Sequence, residues 1–180
     1  MADVTVEGFP IEGYACLFNV ADLGRDLVLP GAFAASLARQ SARGVRMLYQ
    51  HDPAEPLGVW TDAFEDGIGL YVRGRLSPGV ARARECAALV RDGAIDGLSI
   101  GFKAVEARTD PRTRLRRLSR IDLWEVSVVT FPMQPQARIA RRSDELRIAR
   151  RSDDPRIAAT PSPALALDAA AARLRAAVGA

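Results

Sequence analysis

Histidine, lysine and cysteine are scarce in this chain of 180 residues: one His, His51, one Lys, Lys103, and two Cys. Cys16 and Cys86 lie far apart, with neither a CxxC pair nor a His/Cys cluster, so neither a disulfide framework nor a zinc site is indicated. Both are expected to be buried thiols. There is no apolar run of about 18 residues, the length a membrane helix needs, and the opening MADVTVEGFP lacks the charged and apolar regions of a signal peptide. A cytosolic protein with no membrane role is the expectation. Aromatic residues make up only 6% of the chain, without the interleaving with basic residues seen in single-strand binders, so no nucleic-acid partner is inferred.

What is present suits one medium domain with an appendage, since 48% apolar content can fill a sizeable core. The net charge of +3 hides an asymmetry: residues 1–100 carry 9 Arg against 13 Asp/Glu, and residues 101–180 carry 16 Lys/Arg against 9 Asp/Glu. The first half is therefore acidic and the second basic.

Residues 4–18 read as two short strands or one bent strand, followed by a loop with Asp22, Gly24 and Asp26. AFAASLARQ has helical spacing, VRMLYQH reads as a strand ending on the histidine, and DPAEP as a loop. PLGVWTDAF and GIGLYVRGRLS form a hairpin across Glu65-Asp66-Gly67, and in its second strand Leu70, Val72 and Leu76 alternate with Tyr71, Arg73 and Arg75. VARARECAALVRDG is helical up to Gly93. DGLSIGFKAVEAR and LRRLSRIDLWEVSVVTF are strands around the polar turn TDPRTR. Many short strands with two helices imply an α+β fold: a compact, mainly antiparallel β-barrel or sandwich with flanking helices, spanning residues 1–138.

Residues 139–180 differ in kind. RIARRSDEL is followed by RIARRSDDP and RIA, a nine-residue repeat whose isoleucines would alternate faces on a helix. A solvated arginine-rich arm is the plain reading, and a repeated linear motif for a partner or a protease the sharper one. PSPALALDAAAARLRAAVGA then reads as a C-terminal helix capped by Ser162 with Pro163 in its first turn.

In DGLSIGF, period-two alternation puts Leu98, Ile100 and Phe102 on one face and Gly97, Ser99 and Gly101 on the other. Ser99 is thereby flanked by missing side chains, which suits a nucleophile met by an extended peptide, with Gly97 and Gly101 as the approach. A serine needs a base, and His51 is the one histidine available. In IDLWEVSVV, Trp124, Val126 and Val128 take one face and Leu123, Glu125, Ser127 and Val129 the other. Glu125, an ionisable group in an apolar strand, needs a partner, and a histidine that it orients would be one. Asp52 and Asp122 are rivals for that role. The plain readings are a small strand serine, a solvated loop histidine and a glutamate paired with an arginine. A Cys16/His51 pair is a weaker alternative, because nothing near Cys16 in sequence lowers its pKa.

The succession GYACLFNVAD, LPGAFAASL, VRMLYQHD, PLGVW, GLYVRGRL, LVRDGAIDGLSIGF and DLWEVSVVTFP, over residues 11 to about 138, resembles the prohead maturation proteases of tailed phages with the HK97-type capsid, including prophage and gene-transfer-agent relatives. The resemblance implies a serine endopeptidase with a herpesvirus-assemblin-like barrel, working in the bacterial cytoplasm inside the assembling procapsid. It carries the histidine of QHD to His51, the serine of GLSIGF to Ser99 and the acidic residue of LxEVS to Glu125. The implied partners are the major capsid protein, through its scaffolding segment, and the protease itself, by autoproteolysis or as a homo-oligomer. No metal or cofactor is implied. Backbone N–H groups or an arginine of TDPRTRLRR would serve the oxyanion. A catalytically silent assembly factor with the same fold is the alternative from another class, and a generic hydrolase a third.

Overall fold

A computed structural model describes residues 8–140. The arginine-rich repeat and the C-terminal helix expected beyond them lie outside the described residues. The element order is β1 (Phe9–Leu17), β2 (Asp26–Val28), α1 (Ala34–Gly44), β3 (Arg46–Tyr49), β4 (Asp52–Glu65), β5 (Gly69–Leu76), α2 (Ala81–Arg91), β6 (Gly97–Thr109) and β7 (Arg116–Val129). The strands form one sheet in the order β1-β5-β4-β3-β7-β2, with β6 also on β7. Pairing is antiparallel except for β2 and β3, which each run parallel to β7. This is the mostly-β, barrel-like sheet with two helices that the strand pattern led us to expect.

The β4–β5 hairpin turns where Asp66 Oδ1 accepts the Ile68 and Gly69 N–H groups at 2.7 and 3.0 Å, a side chain doing the work of a turn carbonyl. Leu70, Val72 and Leu76 are buried as their alternation requires. Tyr71 is buried as well, although the pattern put it outside, because its ring packs against Tyr14 (4.9 Å between centroids) and Phe64 (5.7 Å).

Three local readings are corrected by long-range pairing. Residues 52–56 are the start of β4 and no loop: Tyr49 pairs with Asp52 and Leu48 with Pro56, so the extra residues bulge and the prolines fall where N–H donors are least needed. Asp26, read as part of a loop, instead opens a short strand, Asp26–Val28, because that stretch lies parallel against Arg116–Leu118. The two faces assigned to IDLWEVSVV exchange at Trp124: Gly101 pairs with Glu125 but Phe102 with Leu123, which leaves Trp124 as the extra residue of a bulge, 56% exposed. Leu123 therefore joins the core while Glu125, two residues on, looks out of the opposite face.

Helix α1 fills the length of β7 between β2 and β3. Glu65 holds the turn into it by accepting the Gly31 and Phe33 N–H groups at 3.0 and 2.7 Å. Buried Ser36 accepts the Leu123 N–H at 3.0 Å, and Gln40 donates to the Leu123 carbonyl at 2.6 Å. The core runs from Ile11 and Phe18 through Phe33, Met47, Trp60 and Leu76 to Leu98, Leu118 and Val128, with Cys86 and Ala83 of α2 packed in.

The packed body continues past residue 138. Leu98 N–H donates to Ala137 O at 3.0 Å, Ile139 N–H to Asp96 O at 2.8 Å and Ala140 N–H to Glu12 O at 2.8 Å. Residues 137–140 thus sit between the start of β6 and the middle of β1. Gly13 is required there, since a Cβ would come within 2.2 Å of Arg138 O. Just upstream, buried Gln134 clamps the loop after β1: its Oε1 accepts Leu17 N–H at 2.6 Å and its Nε2 donates to Leu17 O and Val20 O at 3.0 and 2.9 Å. No helix among the described residues is long and apolar enough to cross a membrane.

Replacing Gln134 with Ala strands an N–H and two carbonyls, so Gln134→Ala should cost about 1–3 kcal/mol, read as a lower urea midpoint with an unchanged slope.

Candidate active site

Three strands meet at the site. β7 is the middle one, β6 lies antiparallel on one side and β3 parallel on the other. The ladder sets Ser99 opposite Ser127 and Gly101 opposite Glu125, and directly opposed residues share a face. On its other side, Ser127 is level with Leu48 of β3, whose continuation carries His51.

That continuation is unusual. Gln50 and His51 both take positive φ, 54° and 63°, a conformation that costs residues other than glycine on the order of 1–3 kcal/mol and persists only where the surroundings impose it. Gln50 N–H donates to Val128 O at 3.0 Å, and its side-chain amide bonds Thr130 twice, Nε2 to Oγ1 at 2.6 Å and Oε1 from N–H at 3.2 Å. His51 N–H then donates to Ser127 Oγ at 3.2 Å. The turn swings the imidazole over the sheet face that holds Glu125.

His51 Nδ1 lies 2.6 Å from Glu125 Oε1. Ser127 Oγ donates to the other oxygen, Oε2, also at 2.6 Å. The carboxylate is almost wholly buried, and both of its oxygens are occupied. Its hydrogen bond to His51 raises the imidazole pKa above the ordinary 6.5, partial burial opposes the rise, and the carboxylate charge adds to it. With Nδ1–H directed at Glu125, Nε2 is the nitrogen left for a substrate or nucleophile.

Gly101 makes this seat. A Cβ on it would come within 2.0 Å of Glu125 Oε1 and 2.7 Å of Cδ. On Gly97 it would meet Val129 O at 2.6 Å and the Pro132 ring at 2.8 Å. The room beside both glycines is thus taken by the protein's own groups, which corrects their reading as a substrate approach. Ser99, between them, is 5% exposed and borders a cleft of about 150 Å³ that Ile100, Phe102, Met133 and Asp22 also line.

Of the other candidates, Asp122 is engaged by Arg39, Ser36 and Trp124, and Asp52 Oδ1 caps Ala54 N–H. Cys16 is buried, and burial with the nearby Asp22 and Glu65 pushes its thiol up to about 12, so it is no nucleophile. Arg116, from the segment considered for the oxyanion, is spent in a bidentate pair with Asp26 at 2.5 and 2.6 Å. Among the described residues no hydrogen bond joins Ser99 to an arginine or to His51. Ser127 was not selected from the sequence, although it stands two residues after Glu125 on the same face.

The sequence pattern of the caudovirus prohead serine proteases matches residues 2–150. The chain belongs to that family. It is 42% identical over 134 residues to the prohead protease of Enterobacteria phage HK97, covering 72% of this chain and 58% of that one. To the prohead protease of Escherichia phage T5 it is 29% identical over 123 residues, covering 68% and 57%. The chain thus spans under three fifths of the length of these relatives. The capsid assembly protease of bacteriophage T4 superposes with a TM-score of 0.57 at 19% identity, over 69% of this chain and 84% of that one, so the two share a fold. KSHV protease in complex with a hexapeptide phosphonate inhibitor gives 0.49 at 12% identity, over 87% and 81%.

For the peptidase activity proposed below, with neutral His51 as its base, kcat/KM should fall with acid through a limb above pH 6.5, and Glu125→Gln should bring that limb down while cutting kcat by ~10³–10⁴-fold. The sign for stability is opposite: a raised histidine pKa contributes stability that is complete below pH 6.5 and is lost as pH rises through the folded-state value, a trend that urea titrations of wild type and His51→Ala would compare. Gly101→Ala should leave the fold standing, at a cost of about 1–3 kcal/mol, and displace the carboxylate, lowering kcat by ~10²-fold in a peptide-cleavage assay.

Proposed function

We propose that this protein is a serine endopeptidase that cleaves the scaffolding segment of a major capsid protein during procapsid maturation, with Ser99 as nucleophile, His51 as base and Glu125 as the group that orients it. The observation that carries the proposal is the 2.6 Å His51–Glu125 pair, held on the same sheet face as Ser99 by the β6–β7 register. Family membership supports the assignment, and the relatives named prohead and capsid assembly proteases point to the substrate class.

In the first step Ser99 Oγ bonds to the peptide carbonyl carbon while its proton passes to His51 Nε2. The imidazolium then gives that proton to the leaving amine as the C–N bond breaks. Water repeats the sequence on the acyl-enzyme, releasing the new carboxyl end and restoring the serine. Glu125 fixes the Nδ1–H tautomer and stabilises the transient cation.

The substrate has a place to lie. Leu98 N–H points away from β7, towards Ala137, and by alternation Ile100 presents its backbone along the same edge. Among the described residues, the backbone bonds to that edge of β6 come at its start, from residues 137–139. An extended peptide added there would run past Ser99 as one more strand, with backbone hydrogen bonds supplying affinity and alternate side chains meeting the cleft.

Co-expression with the capsid protein of the same gene cluster, followed by gel analysis, is the direct test. A shortened capsid protein should appear with wild type and with neither Ser99→Ala nor His51→Ala. Cleavage in both variants would remove the triad, and no cleavage in any sample would favour an assembly factor without activity.

A further inference from the structure

Ser127 is completely buried, yet its hydroxyl makes two bonds to two different parts of the site. It donates its one proton to Glu125 Oε2 at 2.6 Å and accepts His51 N–H at 3.2 Å. A hydroxyl offers one donor and two acceptor positions, so this side chain can hold the carboxylate and the backbone of the base at once. No other side chain among the described residues bonds both. Resting on the triad reading, we propose that Ser127 is a positioning residue of the catalytic reaction: its hydroxyl couples the placement of His51 to that of Glu125.

The need for such a group follows from where the other two stand. Glu125 comes directly after the bulge at Trp124; the ladder fixes its face, opposite Gly101, but the direction of the carboxylate on that face is left to its neighbours, His51, Ser127 and the room at Gly101. His51 lies in a left-handed turn beyond the end of β3, the kind of backbone that relaxes when one restraint is lost. The Gln50 clamp fixes the residue before it, and the bond to Ser127 fixes His51 itself. Without the hydroxyl, Oε2 would be left buried and unpaired, and the carboxylate could turn it towards His51 or towards the cleft. Either movement lengthens or misaligns the Nδ1–H bond. Ser127 cannot be the nucleophile, because it is inaccessible and its proton is committed to Glu125.

The same hydroxyl would be present if its role were only to satisfy a buried carboxylate, so the test must read alignment as well as stability. Steady-state cleavage would be measured on a fluorogenic peptide spanning the processing site mapped by co-expression. Ser127→Ala should lower kcat by ~10²-fold, as expected for misplaced catalytic groups, and leave KM within about twofold. The downfield Nδ1 proton of His51 should broaden or disappear from the NMR spectrum of the variant. Ser127→Thr and Ser127→Val have the same shape and differ only in the hydroxyl, so they decide the matter even if Ser127→Ala folds poorly. Thr should exceed Val in kcat by at least about tenfold at equal folded fraction. Equal kcat values for Thr and Val, or a wild-type kcat and proton resonance in Ser127→Ala, would overturn the proposal. Ser99→Ala is run alongside: its inactivity with a fully active Ser127→Ala defeats this inference alone, whereas an active Ser99→Ala defeats the triad reading beneath it.

Discussion

The site depends on holding one carboxylate oriented where water scarcely reaches. An unpaired carboxylate in such a place costs several kcal/mol, enough to push it out towards solvent. Glu125 stays in because each oxygen has a partner, His51 on one and Ser127 on the other, and because Gly101 leaves the volume it needs. The bulge at Trp124 belongs to the same solution. It turns the strand by one residue, so that a chain segment feeding leucine into the core below can present glutamate to the opposite face above.

The barrel's contribution is to bring three separate stretches of sequence to that carboxylate. β7 supplies Glu125 and Ser127, β6 the serine and the glycine vacancy, and the end of β3 the histidine. Their relative heights are set by backbone ladders and not by side-chain contacts, so the register is as rigid as the sheet. The strained turn at Gln50–His51 is the one part that departs from the ladder, and it is tied back to β7 by backbone and side chain alike. Groups that the proposed chemistry needs aligned are thereby placed on the sheet itself, with a single restrained turn to carry the imidazole.

Much of this was legible beforehand because it is local. Alternation in GLSIGF, the glutamate set in an apolar strand and the lone histidine at a strand end can each be read from a few neighbouring residues, and they nominated the residues now found on one face. What escaped was decided at long range. Asp26–Val28 is a strand only because β7 lies alongside, and residues 52–56 extend β4 only because β3 tolerates a bulge there. The glycines of GLSIGF were rightly read as missing bulk, but alternation names a face without saying what fills it; Glu125 and Pro132 do. Ser127 was visible on the face of Glu125 all along. A hydroxyl two residues from a buried carboxylate, with a second strand on each side, is the signal that could have found it.

The stretch from Ala137 to Ala140 lies against both β1 and the start of β6, so the first strand of the described body and its last residues are neighbours. A contact that closes so long a loop carries the largest chain-entropy cost among the described residues and gains little until the rest is in place. Closure of the ring is therefore the natural final event of folding. Synthesis imposes the same order, because β1 leaves the ribosome long before the residues that seal it to β6. Until then the strand bearing Ser99 has a longer bare edge than in the finished protein, and the newly made chain is most open to pairing with a neighbour during the interval in which it is not yet a complete barrel.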